Sequence, residues 1–237
     1  EIMPSLVGSE MCIRDRDMIS PMENTVYFLP NSDARQSQIY FYIPMGDYNR
    51  EENVRREAFN QYISGGFSGL IMNEIREKNS MAYTAYGFAS SRGLPGAQTY
   101  FSGYIGTQND KAVDAIDLYM KLLTDMPERP GRIDNIKSYL RQSALTDHPD
   151  SRNLSLRIAE WKRRGYTDDP AKEELPLIDS LTFPDIVDYY QKNIKGKPII
   201  IGVLGNPKDI SIDALKKFGK VIRLNEKKLF NEKDTMF

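Results

Sequence analysis

Residues 65–87 read GGFSGLIMNEIREKNSMAYTAYG, and this stretch changes character twice. Two adjacent glycines open it. Leu70, Ile71 and Ile75 then recur at a spacing that places them on one helical face, and the pattern runs out at Glu77-Lys78-Asn79. From Met81 to Ala89 the chain is rich in aromatic residues and strand formers, which predicts a β-strand. The stretch therefore predicts a bend, a helix and a strand in quick succession.

The residues downstream complete a hairpin and add a helix. Ser90 to Gly96 (SSRGLPG) is a turn signal, and Thr99 to Ile105 (TYFSGYI) predicts the returning strand. Apolar residues from Val113 to Leu123 then follow helical spacing and predict a helix that stops near Pro127.

The rest of the chain supplies further helices and strands. Two apolar runs upstream, 24–29 and 38–44, predict strands, and the turn-rich NSDAR segment between them favours neighbouring positions in a sheet. The remaining predictions are helices over 54–63, 133–144, 154–161, 182–194 and 213–218, and strands over 199–204 and 220–224. Hairpin-linked strands separated by helical stretches are typical of an α+β fold. We expect a two-layer sandwich with a mostly antiparallel sheet and helices stacked on one face.

The N-terminal residues 1–16 (EIMPSLVGSEMCIRDR) differ from the rest of the chain. They show neither helical nor strand periodicity and no signal-peptide pattern, and SLVGSEMCIRDR resembles a conceptual translation of sequencing-adapter DNA. The alternative is an ordinary disordered terminus. We therefore expect a non-native tail at 1–16 and one domain at 17–237. On this interpretation the natural N-terminus, and any targeting signal that it carried, is missing from the sequence.

Composition excludes several classes of function. The chain has 237 residues, 32 Lys and Arg, 33 Asp and Glu, and a formal charge of −1, which argues against nonspecific nucleic-acid or membrane binding. No apolar run reaches the roughly 18 residues of a membrane span. Cys12 is the only cysteine and His148 the only histidine, so the chain has no self-contained multi-histidine zinc site.

The glycine-rich segment 64–69 could cradle a phosphate where it opens a helix. It lacks both the Lys-Ser/Thr pair of a P-loop and the spaced glycines of a dinucleotide fingerprint. A bend between two helices is the favoured interpretation. Considered alone, Arg76 is typical of a solvent-exposed charged residue, and Tyr83 is typical of an aromatic residue in a β-strand.

The combination of features in 65–83 resembles the pitrilysin/insulinase family of zinc metallopeptidases, which includes the mitochondrial processing peptidases. The family pattern is roughly GG-x-S-x-L-x-x-x-[IL]-R-[ET]-K-x-x-[LM]-[AG]-Y. The matching residues are Gly65, Gly66, Ser68, Leu70, Ile75, Arg76, Lys78, Met81, Ala82 and Tyr83, with four residues between Leu70 and Ile75 where the pattern has three. The order of predicted elements over most of 24–224 is similar as well, and Gly106-Thr107 matches a helix start of the family.

The resemblance implies that a second domain is needed for activity. The family pairs a catalytic domain, which holds zinc through an HxxEH motif and a downstream glutamate, with a metal-free C-terminal domain. This chain has no HxxEH sequence, so it corresponds to the C-terminal, non-zinc-binding domain. The resemblance implies that Arg76 and Tyr83 contact the peptide substrate and its transition state. It also implies no catalytic residue or metal site in this chain, with zinc in the missing domain.

Two hypotheses of function follow. The first is the substrate-contacting half of an insulinase-like zinc peptidase, inactive without an HxxEH domain in the same intact chain or in a separate subunit. The alternative is a non-catalytic scaffold or partner subunit of a two-chain assembly. An unrelated α+β binding domain is a third interpretation.

Overall fold

The computed structural model describes residues 20–147 and 149–226, with Phe67 described by its backbone alone. The expected tail at 1–16 lies outside the described residues, as does His148. The strands are β1 Thr25–Pro30, β2 Gln36–Asp47, β3 Thr84–Ser90, β4 Gln98–Gln108, β5 Ile200–Gly205 and β6 Lys220–Arg223. The α-helices are α1 Asn53–Ser64, α2 Ala112–Thr124, α3 Ile133–Thr146, α4 Leu154–Arg163, α5 Pro170–Ser180, α6 Phe183–Asn193 and α7 Ile212–Leu215. A π-helix spans Met72–Lys78.

All these strands form one sheet in the order β3-β4-β2-β5-β1-β6. Strand β4 pairs antiparallel with β3 and β2, and β2 pairs antiparallel with β5, whereas β1 runs parallel to β5 and β6. The prediction of an α+β fold with a mostly antiparallel sheet is confirmed.

The prediction that the first two strands are neighbours is wrong, because β5 lies between β1 and β2. The chain leaving β1 crosses the end of β5, where the Asn31 amide donates to the Gly205 carbonyl over 2.9 Å. Turn residues between two strands show that the chain reverses there. They do not show whether a strand from elsewhere enters the gap.

Helix α5 was not predicted from the sequence. Its start carries ordinary signals, since the Asp169 side chain caps the Ala171 amide over 2.9 Å and Pro170 occupies the first turn. Pro176 lies inside the helix and interrupts the helical pattern. The packing of this helix on α3 therefore outweighs the poor local preference.

The core lies between the helices and the inward face of the sheet. Phe41 on β2 stacks on Tyr119 of α2 with ring centroids 4.0 Å apart, and both side chains are buried. Burial alternates along the central strands, so every second side chain of β2 and β4 faces the other way. Helices cover the inward face, and the outward face carries half-buried and exposed side chains.

The glycine-rich segment forms the expected bend. Gly66 adopts a positive φ of 59°, a conformation that favours glycine, in a short 3₁₀ turn over Gly66–Ser68. The bend directs the chain from α1 into the π-helix. It thereby places the π-helix beside the start of β3 and the end of β4.

Candidate functional site

Arg76 lies on the π-helix that precedes β3. In this helix Ile75 is buried in the core, and the adjacent Arg76 side chain is 38% exposed. The sequence predicted a helix here but not its wider π form, because apolar spacing does not distinguish an α-helix from a π-helix. Short π segments frequently occur at functional sites.

A network of side chains holds the π-helix in place. The Asn79 side-chain amide donates to the Glu74 backbone carbonyl over 2.7 Å, and Lys78 Nζ lies 3.0 Å from the Glu74 carboxylate. Arg129 pairs with that same carboxylate and also donates to Asn73 over 3.3 Å. The Glu74 side chain is 14% exposed, so this ion pair is more shielded than an ordinary surface pair.

The chain reverses between the π-helix and β3 through Ser80. The Ser80 amide donates to the Arg76 carbonyl and the Met81 amide to the Ile75 carbonyl, each over 2.9 Å. Ser80 has a φ of 49°, the left-handed conformation often seen after a helix end. The strand therefore begins at Thr84, three residues later than the sequence predicted.

Tyr83 lies immediately before β3 and is anchored by its backbone. Its amide donates to the Gly106 carbonyl over 3.2 Å, while its side chain is 78% exposed. The Arg76 guanidinium carbon lies 5.6 Å from the centroid of the Tyr83 ring, within cation–π range. The seven-residue step thus brings the two predicted site residues into contact.

Arg76 and Tyr83 line one surface cavity of about 540 Å³. Gln36 from β2, Gly106 to Gln108 from β4, Lys111 and the reversal residues complete its wall. Lys111 Nζ lies 3.4 Å from the Ser80 carbonyl, and Arg76 Nε lies 3.5 Å from the Glu77 carboxylate. The cavity presents cationic donors and an exposed phenol, which are suited to carbonyl and carboxylate oxygens.

Sequence reasoning missed several of these lining residues. It noted Gly106-Thr107 only as a helix start, whereas both residues end β4 and line the cavity. The Thr107 hydroxyl donates to the Met81 carbonyl, which ties the reversal to β4. Gln36 and Lys111 carried no local signal, because only the sheet pairing brings them here.

The described residues contain no group of three or more His, Cys, Asp or Glu side chains that could hold a metal ion. The Glu77 carboxylate, the one acid lining the cavity, is paired with Arg76. The residues present in the described ranges therefore do not fit a zinc site. Of the helices within 20–147 and 149–226, none combines the length and the apolar character that crossing a membrane requires.

Comparison with known proteins identifies the domain type. The family model described as the peptidase M16 inactive domain matches residues 16–130. A search of curated protein sequences gives no significant match.

Solved structures share the fold at low sequence identity. A peptidase M16 inactive domain from Pseudomonas fluorescens aligns with a TM-score of 0.65 at 15% identity, over 80% of this chain and 46% of that one. A protease from Helicobacter pylori aligns with a TM-score of 0.61 at 12% identity, over 77% and 45%. The periplasmic protease PqqL from Escherichia coli aligns with a TM-score of 0.62 at 15% identity, over 81% and 21%. The chain therefore spans less than half the length of each of these structures.

Residues 16–130, just under half of the chain, thus match the peptidase M16 inactive-domain family. The resemblance to the C-terminal, non-zinc-binding domain of the pitrilysin/insulinase metallopeptidases is confirmed.

Proposed function

We propose that this chain is the C-terminal, substrate-contacting half of an insulinase-like zinc peptidase that hydrolyses peptides. It is inactive without an HxxEH catalytic domain, supplied in the same intact chain or by a separate subunit. One observation carries the proposal: the two residues of the family motif, Arg76 and Tyr83, line one cavity, and both side chains are at least partly exposed there.

Each residue has a role that matches its chemistry. Peptide hydrolysis puts negative charge on the former carbonyl oxygen, and the neutral Tyr83 hydroxyl is a donor suited to that oxygen. The Arg76 guanidinium stays charged and offers several donors in a fixed plane, so it can hold substrate carbonyls in register. Its contact with the Tyr83 ring also orients the phenol. Zinc and the general base would belong to the other domain.

The Arg76 test uses this chain together with an HxxEH domain from the intact gene or from a neighbouring gene. The chain alone should not hydrolyse a fluorogenic peptide, whereas the assembly should. Arg76→Ala should raise KM by about tenfold through weaker peptide positioning, and Arg76→Lys should restore part of the loss. Lys121→Ala is the control, because Lys121 is an exposed cation on α2 that pairs with Asp117 and does not line the cavity.

The alternative of a non-catalytic scaffold predicts a different result. An assembly that hydrolyses peptide equally well with Arg76→Ala would favour it. Peptide turnover by the chain without any HxxEH domain would contradict both hypotheses.

A further inference from the structure

The outward face of the sheet, on the side away from the core helices, carries a band of aromatic side chains. Tyr40 is 50% exposed, and Tyr86 and Phe88 are each 40% exposed. The aromatic face, as we name this band, comprises Tyr40, Tyr42, Tyr86, Phe88, Tyr100 and Tyr104. Side chains this large are usually buried in a core or in an interface.

The rings of the aromatic face contact one another across three strands. The ring centroids of Tyr86 and Tyr104 lie 5.3 Å apart, and those of Tyr40 and Tyr104 lie 5.1 Å apart. Tyr42 and Tyr100 add a further pair at 5.6 Å. Because each ring is held by its neighbours, binding of a ligand to this face would order the side chains little further and would cost little side-chain entropy.

The strand segments that carry the aromatic face contain no charged residue. From Gln36 to Pro44 in β2, and throughout β3, β4 and β5, the sequence contains no acidic or basic residue. Burial, together with the neighbouring Tyr40 and Tyr86, raises the pKa of Tyr104, so its hydroxyl remains a neutral donor at physiological pH. A charged ligand group would lose its hydration here without gaining an ionic partner.

Helix α1 closes the exposed edge of β3 against strand addition. The Asn60 side chain accepts from the Ala89 amide over 2.7 Å and donates to the Ala89 carbonyl over 3.1 Å. The Gly87 amide donates to Ser64 over 2.8 Å. Because these groups of β3 already have partners, a peptide that paired with this edge would have to displace them, which favours the open face.

The aromatic face is continuous with the cavity of Arg76 and Tyr83. Gly106 and Gln108 on β4 and Gln36 on β2 occupy outward positions of the same sheet, and all three line the cavity. Gln38 lies between Gln36 and Tyr40 on the outward side of β2, and its side chain accepts from the Tyr40 hydroxyl over 3.3 Å. An extended segment lying along the face would therefore enter the cavity.

We propose that the aromatic face binds an extended, uncharged peptide segment with apolar side chains and leads it to the Arg76–Tyr83 cavity. This inference rests on the proposed function and adds the class of substrate segment. A second copy of the chain on this face is the competing occupant, and the experiment separates the two.

In the experiment the purified 237-residue chain is titrated with the capped peptide Ac-FSFSLS-NH2. Binding is measured by calorimetry and by the NMR chemical shifts of the backbone amides. The peptide should shift amides of β2, β3 and β4. Phe88→Glu should weaken binding by about tenfold because it places a charge on the face. Tyr139→Glu is the matched control, since Tyr139 is exposed on α3 in the helical layer, and it should leave the affinity unchanged. Ac-ESESLS-NH2, with both phenylalanines replaced by glutamate, should bind about tenfold more weakly.

Three outcomes would overturn the inference. They are equal affinity for both peptides, no effect of Phe88→Glu, and a dimer at the titration concentration that Phe88→Glu converts to monomer. If Phe88→Glu lowers the melting temperature, Tyr40→Ser replaces it, because that side chain is the most exposed of the face. The titration contains no catalytic domain, so its failure is distinguishable from failure of the turnover test.

Discussion

Ser80 is a single residue on which the geometry of the cavity depends. Its left-handed conformation, with a φ of 49°, reverses the chain between Arg76 and Tyr83. A residue with a Cβ atom is strained there by roughly 1–2 kcal/mol. We expect Ser80→Gly to raise the free energy of unfolding by about 1 kcal/mol, measured by urea denaturation. Ser80→Ala keeps the Cβ atom and should give no gain, and an equal gain from both variants would contradict the strain.

Gly103 is a second residue with an exact steric requirement. A Cβ atom there would lie 2.1 Å from the Tyr119 hydroxyl, which is buried and donates to the Tyr86 carbonyl over 2.9 Å. We expect Gly103→Ala to lower the free energy of unfolding by about 2–3 kcal/mol. Tyr119→Phe alone should cost about 1–2 kcal/mol, because the hydrogen bond from Tyr119 to the Tyr86 carbonyl is lost.

The double variant tests whether these two costs share one cause. Removing the Tyr119 hydroxyl relieves the closest contact with the new methyl group, so the double variant should cost less than the sum of the single costs. Chemical denaturation of all four proteins gives the coupling energy. Strict additivity would contradict the steric explanation.

At the scale of the elements, α1 protects the edge of the sheet through Asn60. Asn60 provides both an acceptor and a donor to Ala89, as a neighbouring strand would. We expect Asn60→Ala to lower the free energy of unfolding by about 2 kcal/mol, because the Ala89 amide loses its acceptor and the Ala89 carbonyl keeps only Arg56 as a side-chain donor. It should also accelerate hydrogen exchange of the Ala89 amide. Asn153→Ala is the control, since Asn153 makes no capping hydrogen bond, and an equal loss there would contradict this role.

Helix α6 gives the fold an acid-sensitive cap at Asp185. Burial disfavours the charge, but hydrogen bonds from the Thr182 amide and hydroxyl, together with Arg55, outweigh it and lower the pKa of Asp185. A pKa lowered in the folded state stabilises the fold above the unfolded-state pKa, about 4. That stabilisation is lost as the pH falls through the folded-state pKa.

The variant Asp185→Asn should therefore flatten the acid limb of the stability curve. We expect the free energy of unfolding of the unmodified chain to fall more steeply than that of Asp185→Asn between about pH 5 and about pH 3. Thermal denaturation across this range measures the difference. Asp188→Asn, on the exposed side of the same helix, should leave the curve of the unmodified chain unchanged. Parallel curves for Asp185→Asn and the unmodified chain would contradict the prediction.

At the scale of the whole molecule, the sequence predicted most elements because their patterns are local. The apolar spacing of α1, α2 and α3 and the aromatic hairpin of β3 and β4 each follow from a few neighbouring residues. The position of β5 between β1 and β2 does not follow from neighbouring residues. It depends on which strand, from anywhere in the chain, pairs with both β1 and β2. Helix α5 was missed because Pro176 conceals a segment that tertiary packing holds helical.

The candidate site shows the same division. Arg76 and Tyr83 were chosen from a short motif whose spacing is visible in the sequence, and the structure brings them within cation–π distance. Gln36 and Lys111 were not predicted as site residues, because they lie far from the motif in sequence and only the folded sheet brings them to the cavity. The aromatic face likewise depends on the register of three strands, which alternation alone does not define.

The measurement that tests the central claim most directly is peptide turnover by the Tyr83→Phe variant in an assembly with an HxxEH domain. Without the hydroxyl, kcat should fall roughly 10²-fold through loss of a transition-state donor, while the melting temperature of the chain stays unchanged. Tyr139→Phe, at an exposed tyrosine on α3, is the control and should retain full turnover. Unchanged turnover for Tyr83→Phe, or a loss that matches a lower melting temperature, would contradict the substrate-contact role.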